Sequence, residues 1–227
     1  MFNNQKTGAI ITAAGRGMRM GKVDKIFTPV GGKPLLLWVI EAFQNCTLID
    51  QIIVVLGKEN IKRGHELPTE GRLSKVSDIC PGGDERQQSV ANGLNLLDDC
   101  YWVVIHDGAR PIITEVLIKE GLEAAEESGA AVAAVPVIDT IKLADDDGFV
   151  MGTPPRNSLW AVQTPQVFRF DIISQAHSKA KGLATDDAAL VERLGYKIKL
   201  YKGSYANIKV TNPSDLAIVE ILLKGYG

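Results

Sequence analysis

Short apolar runs alternate with stretches whose apolar residues recur at the helical period, and this alternation predicts a mostly parallel sheet covered by helices. Ala9–Ala13 reads as a buried first strand that runs into glycines. Gln51–Leu56 reads as a second strand, Lys75–Ile79 as a weaker third, Tyr101–Ile105 as the central one and Ala130–Val137 as the next. Between them, helices are predicted from Pro34 to about Asn45, from Asp84 to about Leu97 and from Thr114 to Ser128. The pattern then changes. Asp139–Ala144 and Phe149–Thr153 flank Asp145-Asp146-Asp147-Gly148, and an Asp-Gly turn between strand-like runs predicts a β-hairpin. Alternation resumes with strand Leu159–Gln163, helices at about Phe170–Ala180 and Asp186–Leu194, strand Lys197–Tyr201 and a last helix from Pro213 to Lys224. The expectation is a Rossmann-like twisted sheet with helices on both faces in one domain over 1–227, with 138–159 set apart as an arm.

Composition narrows the class. A chain of 227 residues with 45% hydrophobic and 23% charged residues can bury a core of ordinary size. A net charge of −2 argues against a dedicated nucleic-acid binder, which carries a basic excess. Cys46, Cys80 and Cys100 are an odd number without paired spacing, which points to reduced thiols. The first apolar run breaks at Gly15, too short for a signal sequence or a membrane span, so a cytoplasmic setting is expected.

The candidate chemistry gathers where strands meet loops. Ala13-Ala14-Gly15-Arg16-Gly17-Met18-Arg19-Met20-Gly21 follows the first strand. Its glycines let backbone N–H groups approach an anion, and Arg16, Arg19, Lys22 and Lys25 supply cations, so the loop reads as a triphosphate cradle. It is neither Gly-x-Gly-x-x-Gly nor a Walker A loop, since position 20 is Met and no Gly-Lys-Ser/Thr follows. A nicotinamide-dependent oxidoreductase is disfavoured on that spacing. His106-Asp107-Gly108-Ala109-Arg110-Pro111 closes the central strand, where Asp107 faces the same crevice and suits Mg²⁺ beside phosphates, whereas His106 reads as structural. Gly82-Gly83-Asp84-Glu85-Arg86 is a further glycine turn opening a helix. Arg156, Thr164-Pro165-Gln166, Thr185-Asp186-Asp187 and Asn207-Ile208-Lys209-Val210-Thr211 each read, singly, as loop, cap or strand edge.

Taken together and in this order, the segments resemble the 2-C-methyl-D-erythritol 4-phosphate cytidylyltransferase family of the non-mevalonate isoprenoid pathway, over nearly the whole chain. The resemblance implies a nucleotidyltransferase that joins CTP to methylerythritol phosphate with Mg²⁺ or another divalent cation, and a homodimer exchanging arms. It implies transition-state stabilisation by Arg19 and Lys25 and acceptor positioning by Arg156 and Lys209. It further implies a CTP site of Ala13, Ala14, Gly15, Gly17, Gly83, Asp84 and Ser89, and an acceptor site of Asp107, Arg110, Thr140, Thr164 and Thr185. The chain departs from the family pattern twice. Asp24 replaces the usual proline before Lys25, a carboxylate able to draw that ammonium from the phosphates, and Gly108-Ala109 replaces two alanines. Ribitol-5-phosphate cytidylyltransferases share the Thr-Pro-Gln segment, and Asn207–Thr211 favours the methylerythritol enzyme. A non-catalytic nucleotide-binding protein is the reading from another class, and Arg19, Lys25 and Lys209 speak against it.

Overall fold

The computed structural model describes residues 1–15, 24–67 and 73–225. Seven strands form its main sheet: β1 (Thr7–Ala13), β4 (Gln51–Leu56), β5 (Val76–Pro81), β6 (Trp102–Asp107), β7 (Ala130–Pro136), β10 (Trp160–Arg169) and β11 (Lys199–Lys202). They lie side by side in the order β11-β7-β10-β6-β1-β4-β5. The pairs β1–β4, β1–β6, β4–β5 and β11–β7 are parallel, while β10 runs antiparallel to β6 and β7.

The helices are α1 (Leu35–Asn45), α2 (Ile61–His65), α3 (Arg86–Leu94), α4 (Glu115–Ser128), α5 (Phe170–Ser178), α6 (Asp187–Arg193) and α7 (Pro213–Lys224). Alternate residues of each strand point to opposite faces, so both faces of the sheet need a cover. On one face Ala9, Ile11 and Ala13 of β1 join Leu36, Ile40 and Phe43 of α1 and Ile118 and Leu122 of α4. On the other, Ile10 joins Val90 and Leu94 of α3 with Ile172 and Ile173 of α5 and Leu190 and Val191 of α6. Among the described residues no helix is long and apolar enough to cross a membrane.

The expected strands and helices are present, with revealing differences at their ends. The strand expected to stop at Gln163 continues through Thr164-Pro165-Gln166 to Arg169, so a segment read as loop lies inside β10. Its register against β7 shifts between Val162 and Gln166, and that irregularity accommodates the proline. Pro34 caps α1 instead of starting it, because it belongs to a two-residue strand, β3 (Lys33–Pro34), paired with β2 (Pro29–Val30). Helix α3 begins two residues later than expected, since Glu85 is its N-cap in a capping box with Gln88. Neither α2 nor the β2–β3 ribbon is anticipated by the apolar pattern; both are too short to display a period.

The predicted hairpin is there, as β8 (Leu143–Ala144) against β9 (Val150–Gly152). Gly148 takes φ 86° in its turn, and the Asp145 carboxylate accepts from the backbone N–H of Asp147 (3.2 Å) and of Phe149 (2.8 Å). The hairpin leaves apolar side chains in solvent: Phe149 is 73% exposed and Met151 69%.

Candidate active site

The chain leaves β1 for β4 and β5 on one side, then returns to β6 on the other, so β1 and β6 flank a topological switch point. Crevices at the carboxyl ends of such strands are where α/β folds bind ligands. Here Thr12 of β1 lies opposite Asp107 of β6. The turn after β5 closes in from the side, and a Cβ on Gly82 would stand 2.3 Å from the Ala14 Cβ, so only glycine allows that approach.

Two of the cavities at this end of the sheet meet beside β6. One is lined by Ala13, Ala14, Gly15, Lys25, Gly83, Asp84 and Ser89. The other is lined by Arg110, Trp160, Gln163, Thr164, Thr185 and Asp186. Arg86, Asp107 and Lys209 line both and form the wall between them.

That wall is a cluster of charges. One Asp107 carboxylate oxygen lies 2.8 Å from Lys209 Nζ and 3.5 Å from Arg110 Nε, and the other lies 3.5 Å from Arg86 Nε. Burial pushes the Asp107 pKa up, but Lys209 and Arg86 pull harder, and the carboxyl is held well below its usual range. Backbone contacts fix the frame. Asp107 N–H donates to Thr164 Oγ1 at 3.0 Å, Arg110 Nη1 to the Asn207 carbonyl at 2.7 Å, and the buried Asn207 Nδ2 to the Thr164 carbonyl at 2.7 Å. Val210 N–H donates to the Ala109 carbonyl at 2.8 Å, so the segment carrying Lys209 is stapled to the end of β6.

His106 sits directly beneath, wholly buried, with Nε2 3.0 Å from the Arg110 carbonyl and its ring 5.3 Å from that of Phe43. Burial lowers its pKa to about 4, so the folded protein holds the ring neutral at physiological pH, in keeping with a structural role. The unfolded chain binds this proton from about pH 6.5 downward, and the native state resists until about pH 4. Stability is therefore expected to fall as pH drops through that window, by up to about 3 kcal/mol from this group. Urea midpoints measured from pH 7 to pH 4 check this: His106→Leu should flatten the slope, and an unchanged slope would refute it.

With this geometry in hand, comparison with known proteins is decisive. Residues 7–225 match the family described as IspD, 2-C-methyl-D-erythritol 4-phosphate cytidylyltransferase. The chain belongs to this family. It is 53% identical over 224 residues to the 2-C-methyl-D-erythritol 4-phosphate cytidylyltransferase of Dehalococcoides mccartyi strain 195, covering 99% of each chain. It is 48% identical over 222 residues to that of Caldanaerobacter subterraneus subsp. tengcongensis, covering 95% of this chain and 98% of the relative. Among solved structures it is similar to the 4-diphosphocytidyl-2C-methyl-D-erythritol synthase of Anaerococcus prevotii, with a TM-score of 0.83 and 31% identity over 97% of this chain and 96% of the other. The cytidylyltransferase of Thermus thermophilus gives a TM-score of 0.77 at 33% identity, covering 95% and 98%.

Against the family's expected site, the residues divide into three groups. Ala13, Ala14, Gly15, Lys25, Gly83, Asp84 and Ser89 lie together on the first cavity, and Asp107, Arg110, Thr164, Thr185 and Lys209 on the second. Gly17 and Arg19, with Arg16 and Lys22, lie outside the described residues. Thr140 and Arg156 are on the arm, exposed, and line neither cavity; Arg156 Nη1 donates instead to the Ile138 carbonyl at 2.9 Å.

Both departures from the family pattern have local answers. The Asp24 carboxylate accepts from Arg63 Nη1 at 3.1 Å, while Lys25 lines the cavity and donates from Nζ to the Val210 carbonyl at 3.2 Å. The ammonium has thus not been drawn out of the site. At Gly108, an added Cβ would stand 2.8 Å from the Ala13 Cβ, so glycine is fitted to the close passage of β6 past β1. The sequence assigns Arg86 no role, although a cation at the first residue of a helix opened by a glycine turn is a usable signal.

Asp107 does not fit the metal-ligand role expected of it. Its carboxylate is occupied by three cationic side chains, which would repel a divalent ion at the same oxygens. Among the described residues, no group of three or more His, Cys, Asp or Glu side chains could hold a metal ion.

Proposed function

We propose that this chain joins CTP to 2-C-methyl-D-erythritol 4-phosphate, giving 4-diphosphocytidyl-2-C-methyl-D-erythritol and pyrophosphate. The observation that carries this reading is the wall of Arg86, Asp107 and Lys209 shared by two cavities, in a chain of this family. A reaction between two anions needs two pockets meeting at a cationic seam.

The nucleotide occupies the cavity of Ala13–Gly15, Gly83, Asp84 and Ser89, and the acceptor that of Arg110, Thr164 and Thr185. An acceptor phosphate is largely dianionic at neutral pH, its second pKa being about 6, so it attacks the α-phosphorus in line without a general base. Repulsion between the substrates, and charge growing on the α-phosphate, are then the main obstacles. Lys25, with Arg19, opposes that charge, and Lys209, with Arg156, positions the acceptor. Asp107 serves by fixing Lys209 and Arg110. Both substrates are charged small molecules, which suits an enzyme working in the cytosol.

We further assign a divalent cation, Mg²⁺ or another, which would arrive with the triphosphate and offset part of its charge, with no ligand role for Asp107. Excess chelator is expected to abolish turnover and added Mg²⁺ to restore it; full activity in chelator would end this assignment. The reaction itself is tested by pyrophosphate release across the four triphosphates, with methylerythritol phosphate and with ribitol 5-phosphate as acceptors. Turnover with CTP and methylerythritol phosphate should dominate, and its absence would overturn the reading.

A further inference from the structure

Behind the shared wall lies a buried chain of polar contacts that the reaction as described does not use. Arg86 Nη1 is 2.5 Å from Asp187 Oδ2, and His177 Nε2 is 3.1 Å from Asp187 Oδ1. Both Asp187 and His177 are almost fully buried, while Arg86 is partly exposed on the cavities. The same guanidinium reaches Asp107 through Nε at the longer distance of 3.5 Å. Three secondary-structure elements, α3, α5 and α6, thus converge on one cation of the seam.

We infer that Asp187 is a positioning residue that acts through Arg86, holding its guanidinium on the wall between nucleotide and acceptor so that Asp107 remains available to Lys209. The division of the Asp107 oxygens supports this. Oδ2 faces Lys209 and Arg110, and Oδ1 faces Arg86. With Asp187 neutralised, Asp107 is the carboxylate left to Arg86, and the guanidinium moves onto it at the expense of Lys209. His177 Nε2 faces the second Asp187 oxygen, and with the proton on that nitrogen it braces the carboxylate against turning away from Arg86. The first turn of α6, which carries Asp187, is itself fixed to β10: the Gln166 side chain donates to Asp186 Oδ2 at 2.8 Å and accepts from Ala188 N–H at 3.2 Å. A misplacement of about 1 Å at a reacting pair can cost about 100-fold in rate, so the anchor matters most in the transition state.

The inference rests on the assigned reaction, and its test compares variants with one another in the full-length enzyme. Asp187→Asn is expected to lower kcat by at least about tenfold while the KM for CTP changes by less than about twofold. Arg86→Gln should lower kcat as well, and the double variant should be no slower than Arg86→Gln alone, because the two act as one unit. A double variant whose losses multiply, or Asp187→Asn with wild-type kcat, would overturn the relay. Should Asp187→Asn fail to fold, His177→Leu takes its place in the cycle. A loss of about threefold in the wild-type background and none beside Arg86→Gln supports the relay, and equal losses in both reject it. Lack of turnover in the wild type would count against the reaction, whereas a multiplicative cycle in an active enzyme counts against the relay alone.

Discussion

Lys25→Ala is expected to lower kcat by about 100- to 1,000-fold, the usual cost of removing one preorganised donor from a water-poor site. Lys25 lines the first cavity, proposed for the nucleotide, and is braced by the Val210 carbonyl, in the segment that also carries Lys209. Its charge is thus fixed before substrates arrive, and no reorganisation is needed as the α-phosphate gains charge. The loss should appear in kcat and kcat/KM together, since the contact strengthens as the transition state forms. The fold should survive, because the residue sits in a short 3-10 turn at the cavity mouth, and thermal melts would verify this. Arg19→Ala is expected to lose at least about tenfold, on the transition-state role that the family resemblance implies for it. Wild-type turnover at saturating substrates in either variant would remove that residue from the catalytic set.

The other large effect concerns the arm. Mixing Arg156→Ala chains with Lys25→Ala chains is expected to restore activity to about a quarter of wild type, although each variant alone is nearly inactive. Thr140 and Arg156 line neither cavity of their own chain, and the hairpin beside them holds Phe149, Val150 and Met151 in solvent. A two-stranded ribbon is marginal in water without a surface to cover it. Were two chains to pair with residues 138–159 reaching the partner's cavities, those side chains would be covered and Arg156 would be brought to an acceptor. In a two-fold dimer the exchange is reciprocal, and random mixing makes about half of the dimers mixed, each with one intact site. The proportion of mixed dimers can be measured by native mass spectrometry. Recovery absent despite proven exchange would show that Arg156 does not serve a neighbouring site.

Much of the fold could be read from the chain because apolar runs such as Gln51–Leu56 are buried on both faces and carry a strong local signal. The continuation of β10 could not. Thr164-Pro165-Gln166 looks like a turn, and only the pairing of residues on either side of Thr164-Pro165 with β6 and β7 carries the strand through it. Asp107 shows the same limit in the site. A carboxylate at a strand end next to a phosphate loop resembles a metal ligand, and of the cations that occupy it only Arg110 is a near neighbour in the chain, while Arg86 and Lys209 come from distant segments.

The sequence by itself determined the layered α/β architecture, the glycine turns, the hairpin and the family, since each rests on local pattern or ordered motifs. The tertiary structure decided which charges meet. It brought Arg86 to Asp187, seated Lys209 on Asp107, engaged Asp24 with Arg63, and left Arg156 away from its own cavities. Such pairings join residues far apart in the chain, and a Coulomb interaction depends on separations of a few ångströms that no local pattern encodes.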